Sequence, residues 1–209
     1  MKLSTNSFTE GGKIPGEFAF CVPHPLNHVQ LSDNKNPQLA WSDAPAASKS
    51  FVLICHDPDV PSCGDDVNQE GRSVPASLPR VDFFHWVLFD LPVAVNAIKA
   101  GEFSNTVTPR GKSGPAAWHG SQQGINNYTD WFAGDKDMNG DYYGYDGPCP
   151  PWNDEIIHRY VFTVYALDIA KLPLSGRLTG PEIRAAIAPL ILAQASIFGT
   201  YSLNPALAE

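Results

Sequence analysis

The sequence predicts a mainly β, turn-rich fold, and three observations carry that prediction. Nineteen prolines and seventeen glycines are dispersed among short apolar runs rather than massed in one tract, which is the pattern of strands and turns and not of disorder. The run Asp82–Leu91 is apolar on both faces, and Ile156–Leu167 is rich in β-branched and aromatic residues, which suit a pleated surface. With 209 residues and 43% hydrophobic content, one core in one domain spanning 1–209 is the natural expectation.

Taken in order, Glu17–Phe20, Gln38–Trp41 and Ser50–Cys55 read as short strands between proline-bearing turns. The stretch Val60–Pro79 is polar and reads as a surface loop. Asp82–Leu91 stops before Pro92, so it belongs centrally in a sheet. Strict alternation would place Phe83, His85, Val87 and Phe89 on one face, with Phe84, Trp86 and Leu88 on the other. Gly101–Pro151 is long, irregular and rich in Gly, Asn and Asp, as expected of a functional loop. On Ile156–Leu167, His158, Tyr160, Phe162 and Val164 share a face. The period then changes: Thr179 and Glu182 form a capping box with Pro181 in the first turn. Ile183, Ala186, Ile187, Leu190 and Ile191 follow at helical spacing, with Pro189 set to bend or split that helix. Phe198–Tyr201 closes the chain as a short strand.

A net charge of -8 argues against a nucleic-acid partner, which needs a basic face. It also limits membrane contact to a peripheral kind. The N-terminus lacks the apolar region of a secretory signal and no run reaches transmembrane length, so a cytoplasmic protein is expected. Cys21, Cys55, Cys63 and Cys149 allow three pairings into two disulfides. For a cytosolic protein, mostly free thiols are expected.

The chemistry concentrates on three residues. Asp57 lies in Asp57-Pro58-Asp59-Val60-Pro61, where two prolines restrain an acid at a strand's end. His85 and His158 lie on two apolar strands. If the three converge, Asp57 accepts from one imidazole and favours its charged form. The remaining ring nitrogens then donate to a small anion, each charge-assisted bond being worth roughly 1.5–3 kcal/mol. On that scheme binding weakens at high pH as the imidazoles lose charge.

Other patterns compete. Asp135–Asp141 fits the start of a calcium loop, with Asp146 at the twelfth position. It lacks helices on either side, so a solvated acidic turn is the preferred reading. Asp57 with the two histidines resembles a facial metal triad. Cys149 with His158 would suit a thiolate hydrolase, although proline neighbours leave Cys149 no helix N-terminus. Gly111-Lys112-Ser113-Gly114 lacks the upstream glycine of a phosphate loop and reads as a turn. Neither a metal nor a cofactor is expected.

Four ordered motifs bring a family into view. They are Asp57–Pro61, Phe84-His85-Trp86-Val87, Gly147-Pro148-Cys149-Pro150-Pro151 and His158-Arg159-Tyr160-Val161-Phe162. Together they resemble the phosphatidylethanolamine-binding protein family, and within it the bacterial Raf-kinase-inhibitor-like branch. Ile156 stands where many relatives have glycine, and Phe83 where some have tryptophan. The resemblance implies an antiparallel β-sandwich with a few peripheral helices, including a C-terminal one. It also implies a small anion pocket lined by Asp57, His85, His158 and Tyr160, with Pro61, Gly147, Pro148 and Cys149 at its rim.

The function expected is therefore binding of a phosphate or carboxylate head group, on a phospholipid or another small molecule, with no catalytic residue. A regulatory role against a protein kinase or protease is the second reading. A hydrolase acting on phosphoesters or esters through His158 or Cys149 is the third. An exposed apolar face that pairs two copies as a homodimer is compatible with each.

Overall fold

The computed structural model describes residues 1–207. Its ten strands are β1 (Lys2–Ser4), β2 (Cys21–His24), β3 (His28–Leu31), β4 (Leu39–Ser42), β5 (Ser50–Pro61), β6 (Arg80–Pro92), β7 (Ala97–Ile98), β8 (Gln122–Gln123), β9 (His158–Leu167) and β10 (Ile191–Tyr201). Two α-helices, α1 (Tyr128–Trp131) and α2 (Gly180–Ile187), join four short 3₁₀ turns.

The main sheet has the order β10-β9-β5-β6-β8 and is antiparallel throughout. A three-stranded sheet, β1-β4-β7, packs against one face of it. Phe51, Leu53, Leu88, Tyr160 and Phe162 meet Leu39, Trp41 and Ile98 between the two layers. The opposite face presents Val52, Ile54, Val87 and Phe89 to Ile183 and Ile187 of α2. The two clusters follow from alternation along β5, whose odd and even residues bury in opposite directions. This is the expected β-sandwich with peripheral helices. The helix α2 opens on the predicted capping box, Thr179 N–H donating to Glu182 Oε2 at 2.8 Å.

Three readings of the sequence need correction. Glu17–Phe20 is not a strand: Phe18 and Ala19 donate back to the Pro15 and Gly16 carbonyls at 3.0 Å, forming a 3₁₀ turn over Gly16–Phe18. Pro15 fixes the backbone angle that starts such a turn. Asp82–Leu91 lies inside the sheet as expected, between β5 and β8. The outer edge of β6 is covered by short β8 and by loop backbone, with Gly124 N–H donating to Val87 O and Asn127 N–H to Phe84 O. The C-terminal helix ends at Ile187, and a 3₁₀ turn over Ala188–Leu190 carries Pro189. Ile191 already belongs to β10, an 11-residue strand and not a four-residue one.

The third correction bears on the site. Cys55 pairs with Trp86 and His56 with Phe84, so His85 is the extra residue of a β-bulge. A bulge lets neighbours share a face. His85 packs among the aromatics of the sandwich interior, as Trp86 does, while Phe84, Val87 and Phe89 face α2. Strict alternation fails at this position.

Candidate functional site

A cleft of about 540 Å³ opens at one end of the sandwich. Its walls are mostly apolar, with Phe83, Tyr128, Trp131 and Phe132 on one side and Val60, Val67 and the β2–β3 hairpin around them. Asp57, His85, His158 and Tyr160 form the deep end, each no more than 3% exposed. No lysine or arginine lines the cleft among the described residues.

The structure brings together the three residues singled out by sequence. His158 Nδ1 lies 2.7 Å from Asp57 Oδ2, and its Nε2 lies 3.1 Å from Asp154 Oδ2. Both partners are carboxylates, so both ring nitrogens donate and the ring is an imidazolium. Burial opposes that charge, but the hydrogen bonds and fields of Asp154 and Asp57 outweigh it and lift the pKa to about 9. Asp57 is fixed further by Asp59 N–H, which donates to Oδ1 at 2.7 Å. The Tyr160 hydroxyl is pushed well above its ordinary value by burial and by the Asp57 charge beside it.

Behind this end lies a compensated charge network. Arg80 grips Asp154 with two nitrogens, at 2.6 and 3.0 Å. Arg159 grips Asp59 likewise, at 2.9 and 2.7 Å. Both carboxyls stay below their usual value, because these partners, with His158 acting on Asp154, outweigh the burial that would raise them. Asp57, Asp59 and Asp154 thus face His158, Arg80 and Arg159, three against three, and no positive charge is left over for a ligand.

His85 is arranged in the opposite way. Its Nδ1 lies 2.7 Å from the Asp146 carbonyl oxygen, which can only accept, so Nδ1 carries the hydrogen. The ring is caged by Phe83, Tyr128 and Tyr160, with centroids at 4.8, 5.7 and 5.1 Å. Burial drives its pKa down to about 4 despite the Asp57 charge and the Asp146 carbonyl. At neutral pH Nε2 is therefore a bare acceptor, and among the described residues the hydrogen bond of this ring runs through Nδ1 alone.

These facts revise the expected roles. His158 has no nitrogen free to donate to a ligand or to bind a metal, and it serves Asp57 and Asp154 instead. His85 offers an acceptor where a donor was expected. Pro61 and Cys149 line the cleft, whereas Gly147 and Pro148 stand behind it. Gly147 O accepts from the Tyr128 hydroxyl at 2.8 Å, and Pro148 O accepts from Phe20 and Cys21 N–H at 2.9 and 3.2 Å. These carbonyls brace the wall.

Cys149 is joined to Cys21, 128 residues away, while Cys55 and Cys63 are free. The expectation of mostly free thiols is overturned for this pair, and a disulfide sulfur is not the thiolate a hydrolase would need. Asp146 is fully buried and accepts from Lys112, Asn34 and Asn126 at 2.7–2.8 Å. It therefore takes no part in a calcium loop with Asp135, whose carboxylate caps its own turn through Asp137 and Met138 N–H.

Sequence reasoning missed Asp154 and Arg80, which hold the His158 charge in place, and the Asp146 carbonyl, which fixes the His85 tautomer. Arg80 sits 74 positions from Asp154, and no local spacing joins them. Asp59 alone carried a signal, as the second acid of the proline-flanked Asp57–Pro61 motif, which the structure places in the last residues of β5.

A family model described as phosphatidylethanolamine-binding protein matches residues 4–202. The chain is 30% identical over 204 residues to the UPF0098 protein YbhB of Escherichia coli, covering 97% of this chain and 100% of that one. It is 29% identical to a UPF0098 protein of Aquifex aeolicus, covering 96% of this chain and 88% of the relative. The crystal structure of E. coli YbcL, described as a member of the mammalian PEBP family, superimposes with a TM-score of 0.67 at 21% identity, over 96% of this chain and 97% of that one. A phosphatidylethanolamine-binding protein homologue from Chlamydia trachomatis gives 0.63 at 26% identity, over 96% of each chain.

Proposed function

The chain belongs to the phosphatidylethanolamine-binding protein family, and from that premise and the cleft we propose that it binds small molecules carrying an apolar body and an oxyacid head, taken up in protonated form. One observation carries this reading: the only unpartnered ring nitrogen at the deep end, among the described residues, is an acceptor. The cleft also holds no lysine or arginine among them.

A fully ionised phosphate or carboxylate placed there would set lone pairs against the His85 Nε2 lone pair and the Asp57 carboxylate. A head that keeps one acidic proton donates it to Nε2. Alternatively it surrenders the proton, and the new anion then stabilises the His85 imidazolium. Both routes end with one proton shared between head group and imidazole. The aromatic and aliphatic walls remove the ligand's body from water, at about 25 cal/mol per Å² of apolar surface covered. Asp57 and His158 hold the deep end rigid, so little ordering is required on binding.

The test is calorimetric titration of an alkyl phosphate monoester into the wild type and into His85→Asn. The asparagine amide keeps a donor for the Asp146 carbonyl and deletes Nε2. Binding at least about tenfold weaker in the variant is expected, the loss of one charge-assisted bond. Equal affinity in a folded variant would contradict the assignment.

A further inference from the structure

Head-group binding leaves one set of reactive atoms in the cleft unused. Cys21, Cys63 and Cys149 all line it; Cys21 and Cys149 are joined, and Cys63 is an exposed free thiol. Cys63 lies two residues beyond β5, in the 62–79 loop. Hydrogen bonds fasten that loop to the segment just after Cys149. Asn153 Nδ2 donates to the Asp66, Gln69 and Arg72 carbonyls at 2.8, 3.3 and 3.0 Å. Asn68 N–H donates to Asn153 Oδ1 at 2.9 Å, and Asn68 Oδ1 accepts from Trp152 N–H at 3.0 Å. The free thiol and the disulfide therefore belong to walls of one cavity that are bound to each other. Cys55 is buried in the core and takes no part.

We propose that Cys63, Cys149 and Cys21 form a thiol–disulfide exchange site in the cleft wall, with Cys63 as the attacking thiol. As thiolate, Cys63 Sγ attacks Cys149 Sγ, because Cys149 is half-buried while Cys21 is buried. The Cys63–Cys149 bond forms and the Cys21–Cys149 bond breaks. The electron pair leaves on Cys21 Sγ, which takes a proton from water. One disulfide and one of these thiols remain on each side of the equation, so no oxidant or reductant is consumed. The exchange releases the first residue of β2 from the wall that carries Cys149.

Peptide mapping of disulfides tests this. Wild-type protein held at mildly alkaline pH without reductant is quenched with acid, and its free thiols are alkylated. A Cys63–Cys149 linked peptide with the alkyl label on Cys21 is expected. Label on Cys63 alone, with no such peptide, would overturn the proposal. In a second arm, Cys21→Ser reduced and then treated with glutathione disulfide is expected to form the Cys63–Cys149 bond, releasing two glutathiones. Persistent glutathione on Cys149 beside a free Cys63 would also overturn it. Should Cys21→Ser fail to fold, the wild-type map decides alone.

Discussion

His85 and His158 are the same side chain put to opposite electrostatic uses in one cleft. His158 holds its charge because two carboxylates meet both of its nitrogens. His85 loses its charge because burial among aromatic rings outweighs the Asp146 carbonyl and the Asp57 charge, both of which favour it. The sequence pointed to Asp57 and to both imidazoles. Their protonation was not legible, because it depends on Asp154 and Arg80 around His158 and on the aromatic burial of His85, which arise only in the folded sheet. Replacing Asp57 by asparagine should strand the His158 charge in the interior. Removal of one partner from a buried pair costs about 3–5 kcal/mol, and Asp154 retains part of the interaction, so a loss of roughly 2–4 kcal/mol in chemical denaturation is expected. The His158 imidazole resonance should titrate below about 9 in the variant; an unchanged titration would remove Asp57 from this role.

At the scale of elements, the long strands and the capping box could be read directly, since period and cap chemistry are local properties. The bulge at His85 could not, because it arises from the pairing of β5 with β6 and leaves no mark in the β6 sequence. The length of β10 was hidden for a different reason. Leu190 and Ile191 continue the helical spacing of α2, and only Pro189 hints at the change of element. The disulfide joins β2 to a segment 128 residues away, beyond any spacing argument. Because α2 packs on the sheet face away from the cleft, its stability can be altered without touching the site. Thr179→Ala removes the side-chain half of the capping box and should cost about 1 kcal/mol, read by denaturant midpoint. Alkyl phosphate affinity should stay unchanged, and a large loss of affinity would show that α2 is coupled to the cleft.

For the whole molecule, the two histidines set opposite limits on stability. His158 has a folded pKa near 9 against 6.5 ordinarily; its contribution is complete below 6.5 and is lost as pH rises toward about 9. His85 has a folded pKa near 4; its neutral form contributes fully above 6.5, and that contribution is lost as pH falls toward about 4. Each shift corresponds to on the order of 3 kcal/mol at 1.36 kcal/mol per unit. Stability should therefore peak near about pH 6.5 and fall on both sides, as thermal unfolding across pH would show. His158→Gln should flatten the alkaline limb and His85→Asn the acid limb, with the lowered carboxyls of Asp59 and Asp154 adding losses at lower pH.

A deep end that accepts hydrogen bonds and carries no surplus positive charge would take up a proton together with an oxyacid head. The most direct measurement is the number of protons taken up when an alkyl phosphate binds, by calorimetry at about pH 8 in buffers of different ionisation enthalpy. A phosphate monoester has its second pKa near about 6, so the free ligand is a dianion under those conditions. Uptake of about one proton is predicted, with affinity falling about tenfold per pH unit above the ligand's pKa. Binding of the dianion with no proton uptake and a pH-independent affinity would contradict the account.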